Sequence, residues 1–293
     1  KLYQQPINER GHFMTLVTTK EMLKDAHQNH YAIGAFGAHN LEIIKAIIAG
    51  AEAIGSPVIL QTTSSTYRYV EMPYMIALAK AAAEQAKIPV ALHLDHGESF
   101  QVVTECLRAG YTSVMIDGSK LSLEDNIALV RKVTDAASSL GVPVEAELGT
   151  IGSVEDNLVS MEDQALFTDP LMAERFIRET GIDSFAPAFG TAHGNYKKEP
   201  KLQFDLLGKI QAVSNLPLVM HGASGVPKES VRKSLDYGVA KVNFSTELKD
   251  LFAEELRAYL IANPKESDPR KYFLPAREAL IELVKTKIAM LQK

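Results

Sequence analysis

The chain has 293 residues, 46% of them hydrophobic and 23% charged, which excludes disorder as its main state and is enough for a large core. Its 31 Lys and Arg against 36 Asp and Glu give a net charge of −5, so the basic footprint of a nucleic-acid binder is absent. A single cysteine, Cys106, excludes an intrachain disulfide and a four-cysteine zinc site. No apolar run reaches the length of about eighteen residues that a membrane span needs, and no apolar signal-peptide core stands at the start. A cytoplasmic location with no membrane partner is expected. Residues 1–13 are polar and patternless and read as a flexible lead or a cloning remnant, with one domain expected over 14–293.

A unit then recurs along the chain: a short β-rich run, a helical stretch, a turn. Strands are predicted over 31–36, 58–61, 90–94, 113–116, 144–148, 184–189, 218–220 and 242–244. Helices are predicted between them, over 41–53, 74–86, 99–109, 123–140, 168–180, 204–213 and 228–237. The first carries Leu41, Ile44, Ile47, Ile48 and Ala51 on one face, the helical period. Gly141 and Gly238 stop two of them, and Pro170 opens another beside Thr168 or Asp169. Residues 246–293 read as helical with one break at 263–268, an extension beyond what a barrel needs and a candidate for packing on a partner chain. Eight strands alternating with helices predict an α/β chain folded as a closed (β/α)8 TIM barrel. No G-x-G-x-x-G follows the first strand, against a dinucleotide-binding sheet.

Barrel enzymes place their chemistry at the C-terminal ends of the strands. There His96, His193 and His221 fall at three different strand ends, each directly followed by glycine. Three imidazoles at one mouth make an open metal site with a position left for substrate. Asp95 beside His96 reads either as a general acid/base or as a partner that orients an imidazole. His93 shares strand parity with Asp95 and reads as inward-facing and hydrogen-bonded, without a metal role. His12, His27, His30 and His39 read as solvated. Glu155 lies in a polar loop, Gly149-Thr150-Ile151-Gly152-Ser153-Val154-Glu155, and by itself reads as a solvated loop charge, although that loop is long enough to move.

The ends of the last two strands are the usual phosphate site of barrels. Gly222, Ala223, Ser224 and Gly225 stand at one, and Asn243, Ser245 and Thr246 at the other, small residues and hydroxyls that offer hydrogen-bond donors to an anion. An imine mechanism needs a buried lysine at a strand end. Lys241 precedes the eighth predicted strand and so is expected at the opposite pole, which favours metal chemistry.

At these residues the sequence resembles the class II, metal-dependent ketose-bisphosphate aldolases. The resemblance rests on His93-Leu94-Asp95-His96-Gly97, Glu145-Ala146-Glu147-Leu148-Gly149, Gly190-Thr191-Ala192-His193-Gly194 and His221-Gly222-Ala223-Ser224-Gly225, in family order. It runs from about Met14 to the C-terminus. Asn263-Pro264, Asp268-Pro269-Arg270 and residues 243–248 look most like the tagatose-bisphosphate branch, with the fructose-bisphosphate branch close behind.

The resemblance implies one catalytic Zn2+ on His96, His193 and His221, with Glu147 a glutamate of the metal site. It implies Asp95 as the acid/base at the C4 hydroxyl, and Glu155 as a mobile-loop glutamate that moves a proton at the carbon left by cleavage. It implies a cradle for the dihydroxyacetone-phosphate end from Gly194, Gly222, Ser224, Asn243 and Thr246, with Lys197 and Ser245 beside it. Arg270 matches an arginine that reaches a neighbouring site's distal phosphate, with Arg277 its competitor. Carbonyls near Gly194 and Gly222 match a monovalent-cation site, Na+ or K+, in some members. The expected partners are a sugar phosphate, further copies of the chain in a homodimer or homotetramer, and a companion subunit such as tagatose-type relatives can use.

The sequence also departs from the family. Ala35-Phe36-Gly37 stands where members usually carry Ala-Phe-Asn, whose amide contacts substrate, and Ser245 stands where fructose-type members often carry Asp. Phe189 and Phe244 are bulkier than expected. The sugar is therefore open: tagatose or fructose 1,6-bisphosphate, or a ketose 1-phosphate with another tail. A metal-dependent barrel hydrolase and a non-catalytic helper subunit are the competing functions.

Overall fold

The computed structural model describes residues 16–149, 151–153, 167–196 and 198–292. In chain order the elements are α1 (Thr19–Asn29), β1 (Ile33–Gly37), α2 (Leu41–Ile54), β2 (Val58–Thr62), α3 (Ser64–Val70), α4 (Met72–Gln85), β3 (Val90–Gly97), α5 (Phe100–Ala109), β4 (Ser113–Ile116), α6 (Leu123–Ser138) and β5 (Val144–Leu148). There follow β6 (Gly152–Ser153), α7 (Pro170–Thr180), β7 (Ser184–Pro187), β8 (Ala192–His193), α8 (Phe204–Ser214), β9 (Leu218–Met220), α9 (Lys228–Leu235), β10 (Val239–Phe244), α10 (Thr246–Ala262), α11 (Pro269–Tyr272) and α12 (Leu274–Leu291). Eight strands close a barrel in the order β1-β10-β9-β7-β5-β4-β3-β2, while β6 and β8 form a small parallel sheet of their own. The predicted (β/α)8 fold is the one found.

Local chemistry sets the helix ends. Asn40 and Ser99 cap α2 and α5 by accepting from the amides of Ile43 and Val102, and Gly55 and Gly110 end those helices in the left-handed conformation. Alternation along the strands then sorts the side chains. Leu60, Leu92, Leu94, Val114, Ala146, Val242 and Phe244 belong to the large cluster between barrel and helices. Ile33, Ala35, Ile59 and Ala91 form a second cluster with Val17, Met22, Leu23 and Ala26, so that α1 plugs the barrel's N-terminal pole with apolar side chains. Further along the same strands the buried side chains become His93, Asp95, Glu145, Glu147, Lys241 and Asn243. The interior thus runs from apolar at α1 to ionisable at the mouth.

Several boundaries differ from expectation. The eighth barrel strand begins at Val239, so Lys241 lies within it, fully buried, rather than ahead of it. The sixth barrel strand ends at Pro187, not Phe189, and α7 starts at Pro170, whose ring fixes the first helical turn. Residues 64–70 form α3, whose polar face gave no apolar period to read. The extension breaks after Ala262 as expected. Its last helix also packs within the chain: Ala276, Leu280, Val284, Ile288 and Leu291 are buried, and Val284 packs against Gly50 of α2. Among the described residues no helix is long and apolar enough to cross a membrane.

Candidate active site

The site begins with an irregularity in β3. Successive residues of a strand face opposite sides, so Asp95 and His96 cannot both face the mouth from a regular strand. Pairing with β4 shifts register between Leu94 and Gly97, and His96 takes a left-handed backbone with φ of 48°. Such a bulge re-aims one side chain, and here it brings Asp95 and His96 to the same side. His193 comes from β8, and His221 follows β9 directly.

The three predicted imidazoles converge. His96 Nε2 lies 3.0 Å from His221 Nδ1 and 3.2 Å from His193 Nε2. Hydrogen bonds on the far sides of the rings fix the tautomers: His96 Nδ1–H donates to Asp117 Oδ2 at 2.9 Å, and His221 Nε2–H to Glu145 Oε1 at 2.9 Å. In their neutral forms His96 and His221 would turn bare lone pairs toward each other, a gap that a shared proton or a metal ion closes. Nitrogens bound about 2.0–2.1 Å from a tetrahedral zinc lie roughly 3.3 Å apart, close to the spacing found. Burial favours the neutral form of His193 and pushes its pKa down to about 3. Burial also disfavours charge on His96, but Asp95, Asp117 and Glu147 outweigh it and raise that group to about 10, a measure of how strongly this pocket attracts positive charge. The donor set fits a borderline-soft divalent ion.

The carboxylates divide by environment. Asp95 is nearly buried; its Oδ1 accepts from Asn243 Nδ2 at 3.2 Å and lies 3.9 Å from His96 Nε2. Burial opposes its ionisation, yet His96 and His221 together hold its pKa below the usual value. Glu147 goes the other way: burial raises its pKa to about 8 despite His96. Its Oε2 is buried without a partner among the described residues, and its carboxylate lies within reach of His96 and Asp117. An orphaned carboxylate oxygen beside the imidazoles is what a further metal contact leaves behind.

Backbone and hydroxyl contacts join several of the residues expected at a phosphate end. Gly222 has φ of 63°, and its carbonyl accepts from the Tyr196 hydroxyl, which in turn accepts from the Ala192 amide at 2.7 Å, tying the His193 strand to the His221 turn. A Cβ on Gly222 would overlap the Ala192 carbonyl. Gly222→Ala is expected to lower stability by about 1–2 kcal/mol or more, read as a fall in Tm; an unchanged Tm would show that the turn relaxes. Ser224 Oγ faces the Glu247 amide at 3.5 Å, and Thr246 opens α10. Gly194 is buried beside His193. Ser245 Oγ is bonded to His39 Nε2 at 3.2 Å.

His39, expected to be solvated, is instead half-buried, with its other nitrogen on Thr66 Oγ1 at 3.2 Å. Burial, with Lys249 nearby, lowers its pKa to about 4. Its ring fits because residue 37 is glycine: a Cβ there would lie 2.6 Å from His39 Nε2 and 2.7 Å from Ser245 Oγ. Arg270 joins none of these groups within the chain; it is 89% exposed and paired with Asp268. Glu155 and Lys197 lie outside the described residues.

Sequence reasoning missed Asp117, Glu145 and the burial of Lys241. Asp117 carried a readable signal, a carboxylate just past a strand and followed by glycine. Glu145 shares parity with Glu147 and so had to face inward with it.

A family model described as fructose-bisphosphate aldolase class-II matches residues 17–293. The YdjI aldolase from Escherichia coli K12 is 31% identical, with a TM-score of 0.83 over 94% of this chain and 97% of that one. A Coccidioides immitis protein provisionally named a fructose-1,6-biphosphate aldolase is 30% identical, with a TM-score of 0.81 over 92% and 94%. The fructose-bisphosphate aldolase of Campylobacter jejuni, 23% identical over 94% and 95% of the chains, shares the fold at a TM-score of 0.77. With its fold and strand-end motifs matched over nearly its whole length, the chain belongs to the class II fructose-bisphosphate aldolase family.

Proposed function

We propose that the protein is a zinc-dependent class II aldolase. It reversibly cleaves a ketose 1,6-bisphosphate, tagatose or fructose 1,6-bisphosphate, into dihydroxyacetone phosphate and glyceraldehyde 3-phosphate. The observation that carries this reading is the convergence of His96, His193 and His221 with Asp95 alongside. In it His96 Nε2, His193 Nε2 and His221 Nδ1 hold the zinc, with Glu147 beside them. When bound, the ion supplies Lewis-acid polarisation of the substrate's ketone and hydroxyl oxygens.

Asp95, ionised at neutral pH and held by Asn243, takes the proton from the C4 hydroxyl as the C3–C4 bond breaks. The electron pair of that bond stays on C3 of the dihydroxyacetone phosphate half. Glu155, two residues beyond β6, returns a proton to that carbon, and β6 pairs with the strand that carries His193. Gly194, Gly222, Ser224, Asn243, Ser245, Thr246 and Lys197 hold the phosphate end and so fix the reacting carbons. Arg270, exposed on one chain, serves a neighbouring copy's site in a homodimer or homotetramer.

One observation favours a second sugar class. The His39 ring fills the space beside Gly37 and engages Ser245, which supports a ketose 1-phosphate with a different tail. The test is release of triose phosphate from tagatose 1,6-bisphosphate, fructose 1,6-bisphosphate and ketose 1-phosphates with other tails, each with zinc and with chelator. Chelator-sensitive release from a bisphosphate is expected. Release from another tail alone would replace the bisphosphate reading with the second one, and chelator-insensitive release would end the metal reading.

A further inference from the structure

Beneath the imidazole cluster the barrel holds a lysine that the aldol chemistry does not use. Lys241 of β10 is fully buried. Its Nζ donates to Glu145 Oε2 at 2.8 Å and lies 3.2 Å from His93 Nε2. His93 Nδ1 in turn faces Ser113 Oγ at 2.7 Å, and Thr19 of α1 donates to the same hydroxyl at 3.0 Å. The other oxygen of Glu145 accepts from His221 Nε2 at 2.9 Å. One buried carboxylate thus bridges a lysine on β10 and an imidazole just past β9, and both of its oxygens are taken.

We infer that Lys241 is a positioning residue for the metal site: by pairing with Glu145 it fixes the His221 tautomer that turns Nδ1 toward His96 and His193. The physical reason is the cost of an uncompensated buried charge. An ionised carboxylate is not tolerated in a dry barrel interior without a cation or several donors. Among the described residues Lys241 is the lysine that pairs with Glu145, and His221 and His93 are its imidazole neighbours. Replace Lys241 by an apolar residue and Glu145 Oε2 loses its donor, so the carboxylate is no longer held where Oε1 meets His221 Nε2. With that anchor gone, the far side of the His221 ring no longer meets a fixed acceptor, and nothing selects the tautomer that leaves Nδ1 bare for the ion. Partners of this kind typically change metal affinity about 10–100-fold. His93 completes the arrangement by accepting from the lysine, which is why an imidazole there serves without binding the metal.

The inference rests on the proposal that the cluster holds zinc, and the experiment separates the two. Wild type, Lys241→Met, Glu145→Gln and the double variant are titrated with zinc against a chromophoric chelator, and the His221 tautomer of chelator-treated protein is read from its 15N chemical shifts. Lys241→Met is expected to weaken zinc binding about 10–100-fold and to remove the single Nε2–H tautomer. The double variant is expected to match Glu145→Gln alone, because both changes act through one carboxylate. Wild-type affinity and tautomer in Lys241→Met would overturn the inference, as would losses that multiply in the double variant. If Lys241→Met does not fold, Glu145→Leu carries the test, since it removes the acceptor that Lys241 holds against His221; an unchanged tautomer there overturns the inference too. Absence of zinc binding by the wild type would instead strike the metal proposal, with the tautomer readout still deciding the role of Lys241.

Discussion

Asp95→Asn is expected to lower kcat by about 10²–10⁴-fold, the range of a lost general acid/base, while zinc content and KM change little. The substitution is nearly isosteric, and an amide oxygen can still accept from Asn243 Nδ2, so the local packing survives. What disappears is the ability to take the C4 proton. In the wild type the carboxylate is held below its usual pKa because His96 and His221 outweigh the burial that would otherwise protonate it. A fall in kcat with metal retained is the signature of an interaction made in the transition state. Loss of zinc together with activity would make Asp95 a partner that orients His96, and wild-type turnover would remove it from the chemistry.

His193→Ala is expected to remove metal-dependent activity by about 10³-fold or more, since Lewis-acid stabilisation is worth several kcal/mol and each 1.36 kcal/mol is a factor of ten. His193 Nε2 stands 3.2 Å from His96 Nε2, so its removal takes away one of the three nitrogens that face the ion. Added zinc raises the wild-type Tm through mass action on the native state and should leave the variant's Tm unmoved. A variant that is equally stabilised by zinc would place the ion elsewhere, with the Asp117–Glu147 carboxylates the next donors to test.

The barrel was legible because its strands are short apolar runs separated by helices with readable caps, and because proline and glycine mark the turns. The three histidines were legible because strand ends are where a barrel keeps its chemistry, and each carries a glycine behind it. What lay hidden was geometry that period-two reasoning forbids. Asp95 and His96 are neighbours in a strand and should face apart; only the bulge at that point, invisible in residue types, brings them together. Lys241 was misplaced because Val239 and Ala240 precede a charged residue, and a lysine reads as the end of a strand rather than its middle. In the folded chain its charge is met by Glu145 from across the barrel, a contact 96 residues away in sequence. His39 was read as solvated because its partners, Thr66 and Ser245, lie on elements far from it in the chain.

The most direct test of a zinc-dependent cleavage is to strip the protein with chelator, then add zinc in measured equivalents while following triose-phosphate release from tagatose and fructose 1,6-bisphosphate. Release should be negligible without metal and rise linearly to a plateau at one zinc per chain. Full release from the stripped protein, or a zinc plateau in a protein that never cleaves either sugar or any ketose 1-phosphate, would contradict it.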